Sequence, residues 1–134
     1  MNRLSGIITD ITTASGISIV TIQVKDSLLS TVLLDSPETC NYLHVGEKIT
    51  VAFKETEVAI GLEPLGQISM SNQIKCKIKS IENGEILAKL ELLCERDIIT
   101  SIITSRSSLR LNLKIGDVVI ALIKANEISL MDES

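Results

Sequence analysis

The residues able to do chemistry in this chain are small and polar: Ser69-Met70-Ser71-Asn72, Thr100-Ser101, Thr104-Ser105 and Lys124-Ala125-Asn126. Hydroxyls, a lysine and backbone N–H groups at strand and helix ends are donors without acceptor carboxylates, the set needed to replace the hydration shell of an anion. In a largely aliphatic chain such a cluster suggests an oxyanion, although serine and threonine are also common in turns. No catalytic constellation competes with it. The one histidine, His44, falls in a turn where the internal repeat puts Lys114, so nothing there requires an imidazole. The carboxylates lie mostly in turns and at strand ends, with no His or Cys cluster to form a transition-metal site. Neither a glycine-rich phosphate loop nor a G-x-S-x-G elbow occurs. Reversible binding, with no catalytic residue and no organic cofactor, is the expectation.

The elements that must position these residues come in two copies. Shifting the 134-residue chain by 70 positions lays Asn72 on Asn2, Ile78 on Ile8, Leu113 on Leu43, Gly116 on Gly46, Lys124 on Lys54 and Glu127 on Glu57. A period this long argues for internal duplication. The copies are 1–63 and 72–134, joined by a linker, 64–71, in which Pro64 and Gly66 punctuate a turn. The register is expected to slip by two residues around Gly16 and Gly84 and to recover before Leu28.

Alternation and β-branched residues predict strands over Ile17–Val24, Leu28–Leu34, Ile49–Lys54 and Val58–Leu62, with a first strand around Ile7, Ile8 and Ile11. In the second copy the strands fall near 73–81, 86–93, 98–104, 118–124 and 128–131. A short helix is expected after Asp35-Ser36-Pro37-Glu38 and another over Ser105–Leu111. The order β-β-β-α-β-β predicts an all-β fold with one short helix per repeat: two tandem OB-like five-stranded β-barrel subdomains. Lys75, Lys77 and Lys79 alternate along one strand and read as a solvated face. The tail Asp132-Glu133-Ser134 is expected to fray.

Composition narrows the function classes. A net charge of -4 removes the electrostatic attraction behind most nonspecific nucleic-acid binding, and Tyr42 and Phe53, the only aromatics, are too few for base stacking. No apolar run reaches the roughly 18 residues needed to span a bilayer, and the N-terminal residues lack a signal-peptide pattern. A soluble, cytoplasmic protein without nucleic-acid or membrane partners is expected. Cys40, Cys76 and Cys94 show no C-x-x-C spacing and are expected to be free, mostly buried thiols. Copies of about 65 residues bury too little surface to stand alone, so each must pack on its twin, on another chain, or on both.

Ser69-Met70-Ser71-Asn72-Gln73-Ile74-Lys75-Cys76, Ile98 to Thr104, Leu113-Lys114-Ile115-Gly116-Asp117 and Ala121-Leu122-Ile123-Lys124-Ala125 resemble a Mop-type molybdate-binding domain, also called a TOBE domain. The whole second half is covered in order, the first half more weakly, and the total is similar to the tandem di-Mop arrangement. The resemblance implies a homo-oligomer, a trimer favoured, whose copies exchange contacts and bind molybdate or tungstate at subunit or subdomain interfaces. It assigns oxyanion-binding roles to Ser69, Met70, Ser71, Thr104, Lys124 and the N–H of Ala125, with Lys54 serving a shared site. The family's linker motif is Ser-Ala-Arg-Asn, so Ser71 replaces an arginine. The first copy departs further. It begins at Met1-Asn2 with no equivalent of Ser69, Leu34 stands at the place of Thr104, and Glu55, which follows Lys54, would repel a dianion if it faced the site. The function implied is intracellular storage, buffering or delivery of the oxyanion. The alternatives are a sensory or accessory subunit, or a ligand-free scaffold acting through protein partners.

Overall fold

Alternating burial builds two sheets. The computed structural model describes residues 1–132 and has strands β1 (Asn2–Ala14), β2 (Ile17–Val24), β3 (Ser27–Leu33), β4 (Lys48–Phe53), β5 (Ala59–Gly61), β6 (Asn72–Asn83), β7 (Leu87–Cys94), β8 (Asp97–Thr104), β9 (Val118–Ile123) and β10 (Ser129–Asp132). Helix α1 (Ser105–Arg110) follows β8, and 3-10 turns cover Glu55–Glu57 and Ala125–Glu127. Every second residue of β6 from Asn72 to Ile78 is buried, which leaves Lys75, Lys77 and Lys79 in solvent. Ile8, Val20, Ile22, Leu29, Ile49 and Val51 fill one half of the core; Ile78, Leu90, Leu92, Ile99 and Ile123 fill the other.

The final strand of each repeat lies in the other repeat's sheet. The orders are β10-β4-β1-β2-β3 and β5-β9-β6-β7-β8, all antiparallel. Ala59 pairs with Leu122, and Ser129, 70 positions later, pairs with Ala52, so the exchange is reciprocal. The β-β-β-α-β-β units are therefore interlocked. The pattern marks Val58–Leu62 as a strand but carries no signal of which β4-like partner it joins.

Further reciprocal ties join the repeats. Asn72 accepts from the Ser30 N–H (2.7 Å) and donates to the Ser30 carbonyl (2.9 Å). Asn2 does the same to Thr100, at 2.8 Å in both directions. Ser30 and Thr100 lie on β3 and β8, the outer strands of their sheets, so each asparagine satisfies backbone that would otherwise meet solvent or another chain. Thr31 Oγ1 donates to the Ile128 carbonyl (2.6 Å) and Ser101 Oγ to the Val58 carbonyl (2.7 Å), again 70 positions apart.

Three expectations are corrected. The register does not slip: Ile8 faces Ile22 and Ile78 faces Leu92, and beyond a shift after Ile8 and Ile78 the pairs Ile11–Val20 and Ile81–Leu90 keep the same offset. The glycines differ because the turns differ; Ser15 and Gly16 both have positive φ in the tight first hairpin, whereas Gly84 donates its N–H to the Leu87 carbonyl in the second. The helix expected after Asp35 is absent, and 36–44 forms turns tied by Ser36 and Thr39. α1 has Thr104 as N-cap, and Leu34, the residue at that place in the first repeat, has no oxygen with which to cap. Of the expected tail, Asp132 belongs to β10, and Glu133 and Ser134 lie outside the described residues.

The third correction is that Cys76 and Cys94 form a disulfide, leaving Cys40 as the free thiol. The pair next to Lys77–Leu93 on β6 and β7, these residues have Cα atoms 4.6 Å apart, the separation of a non-hydrogen-bonded antiparallel pair. A cross-strand neighbour, invisible in a spacing of 18 residues, supplies the geometry. Gly6 and Val24 hold the corresponding places in the first sheet, where a Cβ on Gly6 would lie 2.5 Å from Ile22 Cγ2 and 2.8 Å from Val24 Cγ2. One repeat fills this site with valine over glycine, the other with a covalent bridge. Cys40 contacts the Tyr42 hydroxyl, and that hydrogen bond, with burial, pushes the tyrosine pKa up to about 12.

Asn72→Ala leaves the half-buried Ser30 N–H and C=O without their partner and is expected to destabilise the protein by about 1 to 3 kcal/mol, read from the denaturant midpoint. The double variant Cys76→Gly/Cys94→Val, which installs the first repeat's pair, is expected to fold and to melt at the same temperature with or without a dithiol reductant. The parent's midpoint should fall on reduction, by the equivalent of about 3 kcal/mol; an unchanged parent midpoint would count against a stabilising bridge.

Candidate functional site

The strand exchange creates a cleft. Because β5 runs beside β9, the 3-10 turn Glu55–Glu57 packs against β8 of the other repeat. Between them is a space of about 350 Å³. Its apolar wall is Val58, Ile102, Ile103 and Leu122; Met70 enters from the linker, and Thr104, Ser107 and Lys124 bring polar groups.

Each polar group is placed by a local rule. Thr104 is the extended residue that ends β8 and caps α1: its Oγ1 accepts from the Ser107 N–H (3.1 Å) and donates to Ser107 Oγ (2.9 Å). Lys124 follows β9 and is the extended cap residue of the second 3-10 turn, with Glu127 N–H donating to its carbonyl at 2.9 Å. Its side chain forms no ion pair among the described residues. Met70 is held by Gln73 Nε2, which donates to its carbonyl at 2.8 Å.

Of the residues singled out in the sequence, Met70, Thr104 and Lys124 converge on this cleft. Ala125 adjoins it as the first residue of the 3-10 turn. Ser69 and Ser71 flank Met70 and are exposed, outside the lining. Lys54 lies at the matching place in the first repeat, exposed, with its backbone N–H donating to Glu57 Oε1 at 3.0 Å. Glu55 faces the N-terminus: its Oε2 accepts from the Met1 ammonium at 2.6 Å, which holds its carboxyl below the usual range. His44 is an exposed turn residue.

Sequence reasoning missed three residues here. Ser107 was hidden inside the helix, although a threonine cap three residues before a serine marks its place. Glu57 and Glu127 line the cleft because the exchange brings two turns, 70 positions apart, to one space. With Lys124 they give the cleft of one chain a formal balance of one positive against two negative charges. A second cavity, about 270 Å³, lies between the β2–β3 and β7–β8 turns, bridged by Lys25 Nζ to Asp97 Oδ2 at 2.8 Å. It contains none of the residues predicted for the site, and its floor of Leu4, Val24, Ile74 and Ile99 is aliphatic.

Residues 68–130 match the model of the TOBE domain family. A solved structure of ModG, described as a cytoplasmic molybdate-binding protein with molybdate bound, superposes with a TM-score of 0.91 at 25% identity, covering 98% of this chain and 95% of that one. A molybdate-binding protein from Sporomusa ovata is 32% identical over 49% of this chain and 98% of its own length, with a TM-score of 0.49. No curated protein matches the chain.

Proposed function

We propose that the chain, whose residues 68–130 match the TOBE domain family and whose fold follows that of ModG along 98% of its length, binds molybdate reversibly, without catalysis, for intracellular storage, buffering or delivery, with tungstate as an alternative ligand. The observation that carries this reading is the convergence of Met70, Thr104 and Lys124 on one cleft at the junction of the repeats. In it, segments 1–63 and 72–134 are two Mop-like repeats and 64–71 the linker. Ser69, Met70, Ser71, Thr104, Lys124 and Ala125 serve the oxyanion, with Lys54 at a shared site. A tetrahedral dianion suits neutral donors and one lysine in a partly desolvated space. Sulfate is smaller and would leave some donors under-contacted. The cytoplasm is the compartment of this reading, as it is for ModG.

The unfavourable charge balance of the single-chain cleft supports a site finished by another protomer. The outer face of the first sheet supplies an apolar surface for assembly: Ile7, Ile17, Ile19, Leu28 and Val32 are all exposed, and Ile19 faces Val32 across β2 and β3. The second sheet has Lys77 and Lys89 at the places of Ile7 and Ile19. An apolar face of this kind is the usual mark of an interface, and a homotrimer is the assembly we favour. The alternative of a ligand-free scaffold rests on Ser71 at the family's arginine and on Leu34 at the place of Thr104.

Titration calorimetry with molybdate in excess sulfate tests the reading. The parent should bind, and Lys124→Ala, which removes the cleft's one cation, should lose roughly 10-fold to 100-fold in affinity. A parent that takes up neither molybdate nor tungstate would leave the scaffold reading. In native mass spectrometry the parent should appear at three chain masses, and Ile7→Lys/Ile19→Lys, which copies the second sheet's residues, should shift it to the monomer; an unchanged trimer would place the interface elsewhere.

A further inference from the structure

We propose that Cys94 is a site of thiol–disulfide exchange, at which a small thiol entering the cavity between the β2–β3 and β7–β8 turns opens the Cys76–Cys94 bridge while the protein stays folded. Cys94 is 7% exposed and Cys76 4%, so neither sulfur lies on the outer surface. Cys94 nevertheless lines the cavity of about 270 Å³, and Cys76 does not. The exposed residues Lys25, Asp26, Gln73, Lys75 and Glu95 form part of the same lining, so the space opens to solvent. Its size suits a thiol of a few heavy atoms rather than a protein. Val24 and Cys94, 70 positions apart, both border it, so the first repeat brings an inert alkyl group where the second brings sulfur.

The sheet can lose the bridge without coming apart. The β6–β7 ladder starts at Lys77–Leu93, one place inside the cysteines, and runs on to Asn83–Ala88. On their other sides Cys76 pairs with Val119 and Cys94 with Asp97. Each strand end therefore keeps a partner when the sulfur–sulfur bond is broken. Gly6 and Val24 hold the same place in the first sheet with no covalent tie.

The exchange balances with a dithiol as reductant. Its thiolate attacks Cys94 Sγ, a new S–S bond joins it to the protein, and the bond to Cys76 breaks with its electron pair leaving on Cys76 Sγ, which takes a proton from water. The cavity holds the attached group. The second sulfur of the dithiol, as thiolate, then attacks the first, closing a cyclic disulfide and releasing Cys94 Sγ, which is protonated in turn. The protein gains two electrons and two protons, and the dithiol is oxidised. A small disulfide restores the bridge through the same steps in reverse. The second repeat thus has two covalent states, set by the thiol–disulfide balance around it, and the first repeat has one.

The test uses the full chain carrying Cys40→Ser, so that Cys76 and Cys94 are its only cysteines, with reduction followed by alkylation and mass spectrometry. Under native conditions the rate should rise in proportion to dithiothreitol and stay constant as urea is added below the unfolding transition. A rate that levels off at the unfolding rate, or climbs with urea, means that the bridge opens only in the unfolded chain and overturns the proposal. With 2-mercaptoethanol the trapped adduct should sit on Cys94, with Cys76 alkylated; an adduct on Cys76 overturns the assignment. Ser27→Leu, which puts a bulky side chain in the cavity wall, should slow reduction roughly 10-fold or more, with a thermal melt to verify folding. An unchanged rate overturns the route through the cavity. Independently of that variant, the thiol left by Cys76→Ser should react with iodoacetamide roughly 10-fold faster than the thiol left by Cys94→Ser, and equal rates count against access from the cavity.

Discussion

Two buried asparagines do for this fold what a larger core would do for a bigger one. A sheet of five short strands has open edges, and a unit of about 65 residues cannot bury enough apolar surface to neglect them. Asn2 and Asn72 each reach across to an edge strand of the opposite sheet and satisfy one residue's N–H and C=O together. An amide side chain matches that paired requirement because it carries donor and acceptor on one planar group. The asparagine that ends the Ser69-Met70-Ser71-Asn72 motif is thus structural. Strand exchange extends the same constraint, since β5 and β10 complete sheets to which their own repeats do not otherwise belong.

Much of this was legible residue by residue. The alternation of Ile17 to Val24 and of Gln73 to Ile81 reports one buried face, and both segments form strands with that face inward. The repeat was visible because the residues that meet the core recur: the burial of 51–60 and of 121–130 follows one pattern. Partner choice was not legible, because Ala59-Ile60-Gly61 offers the same backbone groups to either β4 or β9. The first helix failed for a local reason, an uncapped start at Leu34, which the proline at position 37 concealed. The disulfide was hidden because cross-strand register, not sequence spacing, brings Cys76 to Cys94.

The site was legible in part, and the boundary is physical. Lys124 and Thr104 stand at strand ends, where pattern reading puts functional groups, and they meet at the cleft. Glu57 and Glu127 could not be placed there without knowing the exchange. The two repeats also show how duplication relaxes constraint. The second repeat has the threonine cap and Ser107 where the first has Leu34 and Pro37, while the asparagine, the core and the lysine, as Lys54 and Lys124, recur in both.

The reciprocal exchange of β5 and β10 has a meaning in terms of concentration. A lone repeat could complete its sheet only by capturing a strand from a second molecule, so its folded fraction would depend on how much protein is present. Joining two repeats through the linker turns that encounter into an intramolecular one, at an effective concentration on the order of millimolar for a short tether. Folding of the sheets is then independent of dilution, and association between chains is left free to serve another purpose.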